Sequence, residues 1–168
     1  MTGRILVMLA IAAAACGGET NPSVGSAPAN VDEILVNGMT ARQLVDARAL
    51  HFKDLGGSFK SVRDQLRADR PNLTLVELSV KEVAYAAAEL PRWFPVGTGP
   101  ETGLEMRAFA EIWTDADGFA AAAERFRAAA AQLQSAAEAS DLDALKARAR
   151  LVGQACGGCH DTYRAEED

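Results

Sequence analysis

The sequence Cys156-Gly157-Gly158-Cys159-His160 lies almost at the end of the chain, and the rest of the chain is organised around it. The two cysteines are three positions apart, which is nearly one turn of an α-helix, so their sulfur atoms face the same side. Cys-x-x-Cys-His is the attachment motif for haem c, in which each cysteine forms a thioether and the histidine can bind the iron. We therefore predict one covalent haem, attached through Cys156 and Cys159 and ligated by His160.

Two other interpretations of the cysteine pair are a redox-active dithiol and half of a zinc site. A redox pair needs no following histidine and usually lies beside a βαβ pattern, which this sequence does not show. A zinc site needs four ligands. Outside the motif the chain offers only His51 and Cys16, and Cys16 lies in a segment that looks like an export signal. The residues therefore favour haem.

Length and composition are those of a single helical domain. A chain of 168 residues usually forms one domain. Alanine is abundant and aromatic residues make up only 6%, which favours closely packed helices over a sheet. The net charge is −6, and this argues against nucleic acid as a partner, because nucleic-acid binding needs a basic surface.

The N-terminus resembles an export signal. Arg4 precedes an apolar run, residues 5–15, that is too short to span a bilayer stably. One interpretation is that residues 1–15 are an ordinary signal peptide. The other is a bacterial lipobox, in which Cys16 becomes the first mature residue and carries a lipid anchor. Both predict a periplasmic protein, either soluble or lipid-anchored.

The rest of the chain divides into a predicted flexible tether, residues 16–38, and a helical domain, residues 39–168. In the domain, apolar side chains recur at alternating steps of three and four, which indicates four amphipathic helices. The predicted inward positions, helix by helix, are Val45, Arg48, Phe52, Leu55, Phe59, Val62 and Leu66; Val76, Val80, Val83, Ala87 and Leu90; Phe119, Ala123, Phe126, Ala130, Leu133 and Ala137; and Leu145, Ala149, Val152, Cys156, Cys159 and Tyr163. This pattern predicts an all-α, antiparallel up-down-up-down four-helix bundle with the haem inside it.

Capping residues and helix breakers predict where these helices begin and end. Thr40 and Thr74 each stand three positions before a Gln or Glu, which is the capping-box pattern for the first and second helices. Thr114-Asp115 and Ser140-Asp141 are candidate caps of the third and fourth helices. Pro91 ends the second helix. The long loop that follows it carries aromatic side chains, so we expect it to pack on the bundle.

The domain resembles the cytochrome c′ family of four-helix bundles. The resemblance covers about residues 40–166 and depends most on the Cys-x-x-Cys-His motif followed by Tyr163-Arg164 near the C-terminus. One departure is Gly157, where relatives often carry a lysine. The other matching stretches are 47–57 in the first helix, Leu90-Pro91, Phe94 to Thr98 and Ile112-Trp113.

The resemblance implies a largely five-coordinate haem that binds NO or CO, with electron transfer as a further capacity. It implies that His160 binds the iron and that an apolar side chain of the first helix, here Phe52, covers the opposite, distal face. Arg48 matches an arginine that contacts a haem propionate. Phe94 and Tyr163 match positions that pack around the haem, and Arg164 matches an arginine near its proximal face.

The resemblance also implies that a homodimer is possible, since dimers are common in the family and often use the first two helices. We expect no enzymatic activity, because the sequence shows no substrate pocket, and an enzyme that reduces NO or peroxide would need a polar acid or base near Phe52. On the outer faces of the first two helices the sequence shows no clear apolar patch, so dimerisation is expected by analogy alone. No redox partner can be named from the residues.

Some residues near the expected site have more than one explanation. Arg48 on an inward face needs a partner for its charge, either a haem propionate or a carboxylate on another helix. Otherwise its side chain has to extend to the edge of the bundle. Phe52 cannot bind iron, and an apolar distal side gives bound O₂ no hydrogen-bond donor, whereas CO and NO depend less on one. Gly56-Gly57 indicates either a close approach by a helix or the haem, or a weak point in the first helix.

The alternative function is a six-coordinate, low-spin electron-transfer cytochrome of the same fold. His51 is the first candidate for the sixth ligand, but it lies about 100° around the helix from Phe52. It could reach the iron only if the helix were rotated. Met39 precedes the first helix and Met106 lies in the long loop, so both are weaker candidates.

Overall fold

The fold was obtained as a computed structural model that describes residues 30–166. The predicted signal peptide, Cys16 and the tether up to residue 29 lie outside the described residues. The helices in chain order are α1 (Ala41–Arg67), α2 (Leu73–Glu89), the single-turn α3 (Glu111–Thr114), α4 (Ala116–Glu138) and α5 (Leu142–Tyr163). Two 3₁₀ turns, Leu90–Trp93 and Pro100–Thr102, lie between α2 and α3. The predicted all-α fold with four long helices is confirmed.

The core lies where the inward stripes of the four long helices meet. All predicted inward positions of α2 and α4 are buried, and the abundant alanines of α4 allow its neighbours to approach closely. Helix α4 packs along α5, and α2 packs against both α1 and α4, whereas α1 and α5 meet over a much shorter stretch. Among the described helices, none is long and apolar enough to cross a membrane.

Three of the four predicted helix caps are confirmed. The Thr40 hydroxyl accepts a hydrogen bond from Gln43 N (3.3 Å), and the Gln43 side chain accepts one from Thr40 N (2.9 Å), so α1 begins with a complete capping box. The carboxylates of Asp115 and Asp141 cap α4 and α5 by accepting hydrogen bonds from Gly118 N and Ala144 N, respectively. Each such cap satisfies backbone donors that have no acceptor within the helix.

The predicted capping box at Thr74 is wrong, because α2 begins earlier. The side chain of Asn72 accepts from Leu75 N at 3.0 Å and is the cap. The backbone N–H of Asn72 donates to Gln65 Oε1 (2.9 Å), which ties the turn to the end of α1. Asparagine caps helices at least as well as threonine, so the earlier residue is used.

The part of the predicted tether that the structure describes, residues 30–38, is folded. Asn37 and Gly38 both have positive φ, as in a type I′ turn, and Met39 N donates to Val36 O at 3.0 Å. Ile34 then pairs with Thr40 across this turn. The Asn-Gly dipeptide was the sequence signal for this turn. The boundary between tether and domain at residue 38 stays a prediction.

The C-terminal end of α5 is joined to the loop before α4. Phe109 N donates to Tyr163 O at 3.0 Å, and the Tyr163 hydroxyl donates to Asp115 Oδ2 at 3.1 Å. The other oxygen of Asp115 caps α4 through Gly118 N. A side chain at Gly118 would collide with both Asp115 and Tyr163, so glycine is required for this approach. One carboxylate therefore connects the start of α4 with the end of α5.

Replacement of the α2 cap tests the corrected start of this helix. Asn72→Ala should lower the free energy of unfolding by about 1 kcal/mol, because Leu75 N loses its acceptor. Thr74→Ala, the matched control, should change it by less than about 0.5 kcal/mol, since Thr74 is an exposed residue inside the helix. Urea unfolding of the haem-loaded protein followed by circular dichroism measures both values. Equal losses would contradict the assignment of Asn72 as the cap.

The Tyr163–Asp115 contact predicts a loss of stability at alkaline pH. Burial, and then the hydrogen bond and charge of Asp115, raise the pKa of the Tyr163 phenol above its ordinary value. The unfolded chain therefore releases this proton first, and the stabilisation is complete below about pH 10 and lost as pH rises through the folded pKa. Tyr163→Phe should make the fall in melting temperature above this pH less steep.

The matched control for this measurement is Tyr85→Phe, because Tyr85 is the other tyrosine of the chain and is exposed. It should leave the alkaline slope unchanged. If both variants gave the slope of the wild type, Tyr163 would not contribute to the alkaline transition.

Candidate haem site

The attachment motif occupies the last two turns of α5. Cys156 and Cys159 are partly buried and packed against the core. Burial raises the pKa of both thiols above its usual value, and the charges of nearby arginines offset this rise only in part. A redox-active dithiol needs a thiolate with a lowered pKa, so the raised pKa values argue against that interpretation.

The zinc interpretation also lacks support in the described residues. No group of three or more His, Cys, Asp or Glu side chains within residues 30–166 is placed to hold a metal ion. A structural zinc site would require four ligands around the ion. The donor set at the motif is two thiols and the half-buried His160, which is the set that covalent haem attachment uses.

Helix α1 presents an apolar surface of the kind that a haem needs. Along its inward stripe Val45, Phe59 and Val62 are buried, whereas Phe52 and Leu55 are only partly buried, as are the two cysteines of α5. The stripes of α1 and α5 are therefore both incompletely covered near the expected site. Apolar side chains, two thiols and one imidazole together fit the requirements of haem c.

The two glycine pairs border these partly covered segments. A Cβ atom added at Gly56, Gly57, Gly157 or Gly158 would meet nothing within 4 Å. The explanation of Gly56-Gly57 by a closely approaching helix is therefore wrong, because none comes that near in the described structure. The missing side chains leave room beside Phe52 and beside the cysteines.

A series of aromatic rings connects α1 with the end of α5. The Phe52 ring stands edge-on to Trp93 with centroids 5.1 Å apart, and it lies 6.0 Å from Phe94. Phe94 lies 5.0 Å from Phe119 of α4, which lies 5.4 Å from Tyr163. Such edge-to-face contacts are the favoured arrangement of aromatic pairs. The structure thus brings the predicted site residues Phe52, Phe94 and Tyr163 into one cluster.

Arg48 is 5% exposed, and its hydrogen bonds end on the loop between α2 and α3. One terminal nitrogen donates to Thr98 Oγ1 (3.2 Å) and Trp93 O (3.4 Å), and the other donates to Thr98 O (3.1 Å) and Met106 Sδ (3.5 Å). Burial lowers the pKa of Arg48 to about 10, although the negative charge of Glu101 raises it. The loop thus supplies partners that the sequence analysis did not foresee, and the propionate contact stays a prediction.

Arg164 is exposed and lies one turn after His160. Its backbone N–H donates to His160 O at 3.2 Å, and its backbone pairs with Ala108 of the loop. Its positive charge, with that of Arg125, lowers the pKa of Cys159 and so opposes the effect of burial. The guanidinium is therefore close to the attachment motif, and its role at the proximal face stays a prediction.

Two of the three rival iron ligands, His51 and Met106, contact other groups through their side chains. His51 is exposed, and its ring stacks on Trp93 with centroids 5.0 Å apart and planes 21° apart. Met106 Sδ accepts a hydrogen bond from Arg48. Met39 lies in the turn before α1, where its backbone bonds to Leu35 and Val36.

Sequence reasoning did not identify Trp93 as a partner of Phe52 or Thr98 as a partner of Arg48, and it considered Met106 only as a candidate iron ligand. Thr98 is completely buried and Trp93 contacts both His51 and Phe52. The signals in the sequence were the aromatic residues of the loop and the family match from Phe94 to Thr98. They predicted packing of the loop on the bundle but could not identify the contacted residues.

Comparison with known proteins gives consistent matches. The cytochrome c′ family model matches residues 43–164. Cytochrome c′ of Rubrivivax gelatinosus is 40% identical over 68 residues, which are 40% of this chain and 53% of that protein. The chain spans about half the length of the first curated relatives it matches.

Two solved structures extend the match to the whole bundle. The crystal structure of the Rubrivivax gelatinosus protein superposes with a TM-score of 0.69 at 27% identity, covering 74% of this chain and 97% of that one. A variant of cytochrome c′ from Alcaligenes xylosoxidans with bound NO has a TM-score of 0.68 at 26% identity, covering 76% and 97%. The cofactor of the present protein is haem c, and its Cys156 and Cys159 are consistent with the attachment motif. The chain belongs to the cytochrome c′ family.

Proposed function

We propose that this cytochrome is an exported protein that binds NO or CO at the distal face of a largely five-coordinate haem, and that it can also transfer electrons. The observation that carries the proposal is the position of Phe52. It occupies the partly covered segment of the inward stripe of α1, and phenylalanine has no atom that can bind iron. The nitric oxide complex of the Alcaligenes xylosoxidans relative supports a gas as the ligand.

Each side chain of the proposed site has one task. Cys156 and Cys159 would hold the haem through thioethers, and His160 would bind the iron from the side of α5. When bound, the haem supplies an iron atom that binds diatomic gases and exchanges one electron. Phe52 would cover the opposite side, exclude water and offer no hydrogen-bond donor. This environment disfavours O₂ relative to CO and NO.

The rings around Phe52 would restrict access to the iron sterically. Phe52 rests on Trp93 and Phe94, so its ring has little freedom to turn away from the distal side. An incoming gas molecule would have to displace this ring. We therefore propose slow gas binding that is limited by the movement of Phe52.

The cellular location follows from the same proposal. Haem c is attached outside the cytoplasm in bacteria, so residues 1–15 would act as the signal peptide and the mature protein would work in the periplasm. The alternative within this proposal is that Cys16 becomes the first mature residue and carries a lipid anchor.

Carbon monoxide binding to the haem-loaded protein tests the proposed function. The reduced wild type should keep its haem after acid–acetone extraction and show a broad high-spin Soret band that shifts with CO. Phe52→Ala should speed CO association by about tenfold, because removing the ring lowers the steric barrier by about 1.4 kcal/mol. Flash photolysis measures the rate.

The matched control is His51→Ala on the neighbouring, exposed position. It should leave the spectrum and the CO rate unchanged. Sharp α/β bands that CO does not alter would instead establish a six-coordinate iron, and their loss in His51→Ala would identify the sixth ligand. An unchanged rate in Phe52→Ala would remove Phe52 from the distal position.

We further propose a homodimer that uses the outer face of α2. No clear apolar patch was expected on the outer faces of the first two helices, but α2 does expose several apolar side chains. Leu75, Leu78 and Tyr85 lie along one side of α2, and Leu78 and Tyr85 are 57% and 67% exposed. Exposed apolar side chains on one side of a helix, even with Lys81 and Glu82 between them, can form part of an interface.

Leu78→Lys tests the proposed dimer. A lysine would place an unpaired charge in the interface and should weaken dimerisation by about tenfold or more. Size-exclusion chromatography with light scattering gives the molar mass across a dilution series. Val96→Lys, at an exposed loop position, should leave the dimer intact. A monomeric wild type would contradict the proposal.

A further inference from the structure

Arg48 holds the loop between α2 and α3 from inside the bundle. Residues 93–106 of this loop, here called the clamped loop, provide all four acceptors of its two terminal nitrogens described above. The guanidinium carbon also lies 4.8 Å from the centre of the Phe94 ring and 5.6 Å from that of Trp113. Arginine above an aromatic ring adds an electrostatic attraction that grows as water is excluded.

The clamped loop is organised around the same contacts. The Thr98 hydroxyl accepts from Arg48 and donates to Pro95 O at 2.7 Å. The indole nitrogen of Trp113 donates to the same Pro95 oxygen at 3.1 Å. The hydrogen bonds of Pro95 and Thr98 are therefore linked to the arginine, whereas a separate set joins residues 99–104 to one another.

Because Arg48 is charged, movement of the clamped loop away from it would be unfavourable. Its pKa near 10 means that the side chain is still a cation at neutral pH, although it is buried. A buried cation without hydrogen-bond partners is strongly unfavourable. If the loop moved away, Arg48 would lose the acceptors of Trp93, Thr98 and Met106 together.

Phe52 is connected to the same loop. It follows Arg48 by four positions, which is one turn of α1, so both side chains lie on the inward face. The two rings that Phe52 contacts belong to Trp93 and Phe94 of the clamped loop. The position available to the Phe52 ring therefore depends on where Arg48 holds the loop.

We propose that Arg48 is a positioning residue for gas binding, which keeps Trp93 and Phe94 against Phe52 and so restrains the ring over the distal side of the haem. This inference rests on the proposed function, because it takes Phe52 as the distal residue. It differs from the propionate contact that the family resemblance implies. A propionate would have to share the donors that the loop uses.

The test measures loop mobility and gas binding in the same haem-loaded variants. Arg48→Lys and Thr98→Val should each increase deuterium uptake by residues 93–106 and speed CO association by about threefold or more. Arg67→Lys is the matched control, because Arg67 is an exposed arginine of the same helix, paired with Asp64 at the surface. It should change neither measurement. If Arg48→Lys does not fold, Thr98→Val and Met106→Leu take its place.

The Phe52→Ala background separates a positioning role from a general loss of structure. If Arg48 acts through Phe52, adding Arg48→Lys to Phe52→Ala should leave the CO rate of Phe52→Ala unchanged, because the restrained ring is absent. Equal acceleration with and without Phe52, or unchanged deuterium uptake by the loop, would overturn the inference. A shifted reduction potential with an unchanged CO rate would also overturn it, in favour of the propionate contact.

Failure of the proposed function gives a different result. A wild-type protein that carries haem but binds no CO would contradict gas binding. Deuterium uptake by the clamped loop would still show whether Arg48 holds that loop, since this measurement does not involve the gas.

Discussion

A guanidinium removed from water has to keep its hydrogen bonds, and in this protein that requirement joins the bundle to its longest loop. Arg48 lies on the inward stripe of α1, where an apolar side chain is the usual occupant. Its acceptors come from the loop and not from another helix. A segment with little regular structure thereby gains a fixed position, and its aromatic rings are held against Phe52.

The same loop also reaches the other side of the proposed site. After the clamped part, it pairs with the end of α5 through Phe109 and Tyr163, and Tyr163 bonds to Asp115 at the start of α4. Helices α1 and α5 share little direct packing. Their relative position therefore depends on α2, α4 and this loop, and so does the distance between Phe52 and the attachment motif.

Periodicity predicted those parts of the fold that local geometry controls. The inward stripes of α2 and α4 are buried as expected, and Thr40, Asp115 and Asp141 cap their helices. The cap of α2 was misassigned because Asn72 and Thr74 can both cap, and a contact with Gln65 of α1 favours the first. The exposed Leu75, Leu78 and Tyr85 of α2 were not recognised as a patch, because charged residues such as Lys81 and Glu82 stand between them.

The sequence by itself determined the cofactor, the helix that carries it and the inward faces of the four helices, because each depends on spacing within one helix. Only the tertiary structure decided the partners of Arg48, the stacking of His51 on Trp93 and the rings around Phe52. Arg48 and Thr98, for example, are 50 positions apart in the chain. A loop has no repeating spacing, so its sequence cannot show which carbonyl or ring will face a given helix until the chain has folded.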